Sequence, residues 1–241
     1  MTRAAPAALL LASSLLFAAD TGPAAFSASA PGTALPDAWR EQHVARASPN
    51  ELRLVGDDGV TVLEVRARAA AGAAIHALRA PSEGATLAWR WKVDHVVGAA
   101  DMDKRSGDDF AARVYIFFDV PVEALPFGER VKIRLARLVY GDALPTAAIC
   151  YVWDNRHAPG TSRWSPYTDR VRMVVLESGN ERAGRWVDER RDLAADFRAA
   201  FGSQWHGVAP AVTGVGVGND TDQTGETVTA WFGDVRLERL R

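Results

Sequence analysis

Absences narrow the field before any motif is read. Cysteine occurs once, at Cys150, so no disulfide can form within the chain, and a lone thiol in such a sequence is expected as a small buried core residue. Gly-x-Ser-x-Gly does not occur, which leaves a nucleophile-elbow hydrolase without support. The five histidines, His43, His76, His95, His157 and His206, have neither the i, i+4 spacing nor the close pairing of a metal motif. A formal charge of -2 supplies no field for a phosphate backbone, so no nucleic-acid partner is expected. Apart from one apolar run near the N-terminus there is no long hydrophobic stretch, no internal repeat and no low-complexity linker.

The apolar run itself is informative. Met1-Thr2-Arg3 carries one positive charge, residues 4–19 are uncharged and rich in Leu and Ala, and small residues continue to Pro31. The run is shorter than the roughly 20 residues that cross a bilayer, so it reads as a secretory signal and not as a transmembrane segment. Ala25-Phe26-Ser27 and Ala28-Ser29-Ala30 offer small residues at the spacing of a cleavage site, giving a signal peptide over residues 1–30 and a mature start near 28–31. No Cys follows to accept a lipid, and a soluble periplasmic or secreted protein is expected. Residues 31–241, with an ordinary globular balance of 48% hydrophobic and 24% charged residues over the whole chain, fit one domain better than two.

Within that domain, apolar alternation of period two recurs at 61–65, 87–93, 110–118, 131–139, 149–153, 171–176, 209–217 and 228–237. Such segments are half-buried strands. Turn clusters such as Gly56-Asp57-Asp58-Gly59 and Ser178-Gly179-Asn180 separate them. Only 192–201 reads as a helix, with Leu193, Phe197 and Phe201 four apart and Gly202 as its stop. The expected fold is all-β: an antiparallel two-sheet β-sandwich, jelly-roll-like, with one short helix.

The strands carry the candidate ligand site. Leu87, Trp89, Trp91 and Val93 alternate with Arg90 and Lys92, and Val114, Ile116 and Phe118 alternate with Arg113, Tyr115 and Phe117. A further strand offers Arg170 and Arg172, and the last places Trp231 opposite Phe232 and Ala230. If the polar sides align, Arg90, Lys92, Arg113, Tyr115, Arg170, Arg172 and Trp231 form a cationic, aromatic surface suited to an acidic saccharide, because guanidinium binds carboxylate bidentately. The alternative is an ordinary solvated face, with Asp94, Asp119 and Glu64 supplying the counter-charge.

Two polar loops are candidates for other chemistry. Asp220-x-Asp222-x-Thr224-Gly225 matches the first half of an EF-hand loop, but position twelve is Trp231 where a bidentate Glu is needed. A calcium site of another kind through Asp220 and Asp222 is the expectation, against solvated carboxylates in a turn as the alternative. The same residues spell Asp-x-Asp-x-Thr, a phosphatase motif that requires a parallel α/β sheet and is discarded in an all-β chain. Asp108 and Asp109 lead into the strand at Phe110; neighbours on a strand face opposite ways, which makes them a weak acid/base pair.

Taken in order, Trp89-Arg90-Trp91-Lys92-Val93-Asp94, the stretch from Gly107-Asp108-Asp109-Phe110 to Tyr115, Tyr151-Val152-Trp153-Asp154-Asn155, Ser165-Pro166-Tyr167-Thr168-Asp169-Arg170, Arg185-Trp186-Val187-Asp188-Glu189-Arg190-Arg191-Asp192 and 219–226 resemble the bacterial domain of unknown function 3047 family. That resemblance implies no activity. Ala230-Trp231-Phe232-Gly233-Asp234-Val235 is similar to the last strand of carbohydrate-binding jelly rolls. The functional expectation is an exported module that binds an acidic saccharide or cell-envelope glycan. The alternative is a polysaccharide lyase, in which Arg or Lys neutralises a uronate and Tyr or His moves the proton. Against the motifs of jelly-roll alginate lyases the chain offers only Glu64-Val65-Arg66, with Val62 where the first Arg would stand, and no Gln-Ile-His. A purely structural envelope protein is the third class.

Overall fold

The structure, a computed structural model, describes residues 22–44, 47–125, 127, 128, 130 and 146–239; the strand expected at 131–139 and most of the signal segment lie outside them. Thirteen strands are described: β1 (Trp39–His43), β2 (Glu51–Asp57), β3 (Val60–Arg68), β4 (Ala71–Ala80), β5 (Ala85–Val93), β6 (Phe110–Phe118), β7 (Ala147–Asp154), β8 (Ser162–Ser165), β9 (Thr168–Ser178), β10 (Val187–Asp192), β11 (Val212–Asp220), β12 (Thr227–Phe232) and β13 (Arg236–Arg239). One sheet runs β1-β4-β11-β6-β7-β9-β8, and the other runs β10-β5-β12-β3-β2 with β13 also paired to β5. The two face each other as a β-sandwich. Pairing is antiparallel except between β7 and β9, where the chain runs to the edge as β8 and returns inside it.

Alternation decides what is buried. Leu87, Trp89, Trp91 and Val93 of β5 meet Ala112, Val114, Ile116 and Phe118 of β6 between the sheets. Aromatic contacts knit the two layers: Trp89 stacks on Tyr151 at 5.4 Å, and Trp91 lies 5.7 Å from Trp153. Helix α1 (Leu193–Phe201) closes one end; the Asp192 side chain accepts the Ala195 N–H at 2.9 Å, which is why the helix starts there. Phe197 and Phe201 carry α1 onto Phe118 and Trp164. A smaller core of Met102, Phe110, Cys150, Val152, Met173 and Val175 sits on the opposite face of the seven-stranded sheet, and burial there pushes the Cys150 thiol up to about 12.

Several elements depart from the sequence reading. β1, β2, β4, β8 and β10 are strands that alternation did not single out. The segment 228–237 is two strands: Gly233 interrupts it, donating its N–H to Arg90 O at 2.9 Å, and β5 changes partner from β12 to β13 at that point. Residues ahead of 31 also pack against the sandwich. Phe26 is 0% exposed, its ring 4.8 Å from Trp39, and Trp39 Nε1 donates to Ala24 O at 2.7 Å. Residues 24–29 therefore belong to the folded unit, because removing them would strip an aromatic from the core.

Candidate functional site

The outer face of the seven-stranded sheet carries an open groove. Along β11, Val215 and Val217 point into the core, so Gly214, Gly216 and Gly218 alternate onto the outside. Gly216 lies between Ile75 of β4 and Tyr115 of β6 in the ladder, and Tyr115 and Phe117 stand beside it as near-parallel rings, 5.9 Å apart at 11°. Beyond them Gly218 of β11 and Gly72 of β4, with Ala71 and Ala73, put little side-chain bulk on this face and leave a shallow trough. The resulting groove, about 220 Å³, has Ala73, Ile75, Tyr115 and Phe117 along its walls, Gln42 and Val44 at its rim, and Arg113, Asn219 and Asp220 at one end.

That end is strongly polar. Asp220 Oδ1 accepts the Phe110 N–H at 2.9 Å and Arg113 Nε at 2.7 Å, and Arg113 Nη2 pairs with its other oxygen. The same guanidinium reaches Asp108 O and donates to the Tyr115 hydroxyl at 3.1 Å. Asp109, fully buried, accepts the backbone N–H groups of Gln223 at 3.4 Å and Thr224 at 2.6 Å. Burial is the main force on the charges: against the pull of Arg113, it and the neighbouring Asp108 and Asp109 push Asp220 up to about 7. Asp108 and Asp222 are raised by the same cause, and burial holds the Tyr115 phenol far above its ordinary range. Carboxylate oxygens of Asp109, Asp220 and Asp222 lie within 4.8 Å of one another, so the pair expected to hold calcium gains a third member, Asp109, from β6's leading turn.

The expected cationic surface, by contrast, is split three ways. Arg90, Lys92 and Trp231 share the outer face of the six-stranded sheet: Lys92 is paired with Asp57 and lies 4.7 Å from the Trp231 ring and 5.0 Å from Trp186, while Trp231 Nε1 donates to Glu64 at 2.9 Å. Arg113 and Tyr115 are on the far side of the sandwich, in the groove. Arg170 and Arg172 point the other way through that same sheet, toward α1; Arg170 donates to Thr146 O and Gln204 and lies over Phe201, and Arg172 stacks on Trp164 at 4.7 Å. Each alternation was correct by itself. The strands simply belong to different sheets, or to one sheet in opposite phase, so the polar sides never align.

What the fold defines is an all-β sandwich domain with a groove on one sheet. The chain belongs to the protein family of unknown function DUF3047, which matches residues 37–236. Among curated proteins none matches the sequence. Solved structures that resemble the fold include the xyloglucanase domain of NopAA, a type three effector from Sinorhizobium fredii, at 10% identity and a TM-score of 0.46 over 87% of this chain and 96% of that chain. A family 12 xyloglucanase from Bacillus licheniformis follows at 10% identity and 0.41, over 86% and 89%. Endoglucanase 3 from Trichoderma harzianum, of family GH12, has 4% identity and 0.41, over 86% and 100%.

Proposed function

We propose that this protein binds a saccharide chain in the groove of its seven-stranded sheet. One observation carries the reading: a glycine-floored trough with two parallel aromatic rings on its wall and a hydrogen-bonding end. A pyranose has the matching amphipathic form, apolar on its faces and polar at its rim, so its face packs on Tyr115 and Phe117 while Gln42 at the rim meets hydroxyls. The charge of Arg113 is taken up by Asp220 and Asp108, which suits neutral sugar units in this groove.

The acidic-saccharide reading finds its support on the other sheet. There the Arg90 guanidinium lies 4.3 Å over the Trp186 ring with no carboxylate paired to it among the described residues, leaving its donors for a uronate. The lyase alternative has Arg113 beside the Tyr115 hydroxyl, yet a quenched cation and a phenol held protonated favour binding over proton abstraction. For an exported chain, cleavage ahead of Ala24 keeps Phe26 in the core.

A glycan array with product analysis tests this. Arg113 is too deeply built into the fold to serve as a probe, so Tyr115→Ala and Arg90→Ala are compared with the parent. Tyr115→Ala is expected to weaken binding to neutral polymers about tenfold, the worth of one aromatic contact. Arg90→Ala is expected to affect only uronate-containing polymers, in a salt-dependent way. Unchanged binding by Tyr115→Ala rejects the groove, and unsaturated, ultraviolet-absorbing ends on uronates would establish the lyase instead.

A further inference from the structure

Arg90 of β5 and Asp188 of β10 stand directly opposite each other on the outer face of the six-stranded sheet. Opposite charges at such a register ordinarily pair. Here they do not. The Arg90 guanidinium lies 4.3 Å over the Trp186 ring, and the exposed side chain of Asp188 makes no hydrogen bond or ion pair among the described residues. Gly233 lets the arginine lie that way: a Cβ there would come 2.6 Å from Arg90 Cγ and 2.9 Å from its Nε, so the stem crosses bare backbone and the head group is held in one place. Both charges line one cavity of about 300 Å³, with Val60 as an apolar wall. That volume is at the small end of ligand-binding pockets, the size for a single ring.

The other two charges of the cavity are already engaged. Asp234 accepts the Ser27 N–H at 2.9 Å and the Ser27 hydroxyl at 2.5 Å. Arg236 lies 3.7 Å from Glu238, a carboxylate that Arg190 also takes. With Arg90 and Arg236 set against Asp188 and Asp234, the cavity is close to charge balance. Such a balance disfavours a densely charged chain and suits a ligand with one acid group and several neutral donors. We propose that this cavity holds a single uronate residue, its carboxylate on the Arg90 fork and its neighbouring hydroxyls donating to Asp188. Guanidinium meets a carboxylate bidentately. An aspartate carboxylate only accepts, so Asp188 selects hydroxyl donors and repels a second acid group. Pinned on Trp186, Arg90 has little side-chain freedom left to lose when the ligand arrives. This inference rests on the acidic-saccharide reading of Arg90 and adds Asp188 as the residue that tells a uronate from other anions.

The test measures binding of the full chain to polygalacturonate, alginate and hyaluronate, with dextran sulfate as the sulfated counterpart. Arg90→Ala is expected to lose about tenfold or more on the uronate polymers, the worth of a charge-assisted pair. Asp188→Ala is expected to lose about tenfold on the same polymers, because hydrogen bonds to a charged group are removed. On dextran sulfate it should bind as well as the parent or better, because a repelling charge is gone. If no uronate polymer binds the parent, or Arg90→Ala binds them all as the parent does, the acidic-saccharide reading falls and takes this inference with it. Loss in Arg90→Ala alone, with Asp188→Ala holding or gaining uronate affinity, leaves that reading standing and overturns this inference. An equal loss by Asp188→Ala on uronates and on dextran sulfate overturns it too, since that marks a disturbed face and not recognition of hydroxyls.

Discussion

Two glycines on one strand make a sharp test of how β11 is built. A methyl group added at Gly218 would fall 2.9 Å from both Cα and Cβ of Ala73, and would also press on the Gly72 carbonyl. These are backbone-anchored atoms of β4, so the neighbouring strand must move, at an overpacking cost of about 1–3 kcal/mol. At Gly216 the same methyl meets Ile75 Cγ1 at 3.4 Å and the side chains of Phe117 and Tyr115 at 3.6 Å, which is ordinary contact. There the loss of glycine's unfolded-state freedom should dominate, stabilising by up to about 1 kcal/mol. Gly218→Ala is therefore expected to lower, and Gly216→Ala to hold or raise, the urea midpoint followed by tryptophan fluorescence, with the two separated by about 2 kcal/mol at an unchanged slope. Gly218→Ala as stable as the parent, or Gly216→Ala clearly less stable, would refute the tight β4–β11 approach.

Phe26→Ala should cost about 3–5 kcal/mol, since the ring is fully buried against Trp39; in a melting comparison, a chain starting at residue 22 should survive well above one starting at 31, and equal melting would remove residues 24–29 from the core. Glu189 offers a pH test: burial, then the neighbouring Glu177, raise it from 4.5 to about 7. The folded state thus holds this proton more tightly than the unfolded chain, so the stabilisation is complete below pH 4.5 and is lost as pH rises through 7. After discounting for its partial exposure, the parent should lose about 1–2 kcal/mol between pH 5 and 8 relative to Glu189→Gln, read from urea midpoints. Parallel profiles would show that this carboxyl does not titrate across that range.

Large side chains made the central strands legible. Trp89 and Trp91 alternating with Arg90 and Lys92, and Val114, Ile116 and Phe118 alternating with Arg113 and Tyr115, announce their inner faces because only one phase buries the bulk. The helix was equally plain from its four-residue spacing and its glycine stop, Gly202. β4, read as Ala71-Gly72-Ala73-Ala74-Ile75-His76-Ala77, is too small in volume for either phase to stand out, and β10, Val187-Asp188-Glu189-Arg190-Arg191-Asp192, is an edge strand whose charge hides it. Nothing local reports strand order. The groove depends on β4, β11 and β6 lying side by side, segments far apart in the chain, so its aromatic wall was named without the small residues beside it, Gly72, Ala73 and Gly218.

The acidic cluster was half legible for a different reason. Asp220 and Asp222 were visible as an oxygen-rich loop, but Asp108 and Asp109 were set apart by the rule that strand neighbours face opposite ways. That rule does not reach them. They follow a 3-10 turn at Arg105–Gly107 and precede β6, with Asp108 at φ -74° and ψ 57° instead of extended. Gly107 permits the turn to press on Asp101, where an added Cβ would come 2.7 Å from its backbone nitrogen. Released from strand geometry, Asp109 reaches across to residues 223 and 224 while Asp108 stays beside Arg113. Four carboxyl groups from two distant segments thus meet one guanidinium, and the position that looked from sequence like a cationic ligand contact, Arg113, is the internal counter-ion of that cluster.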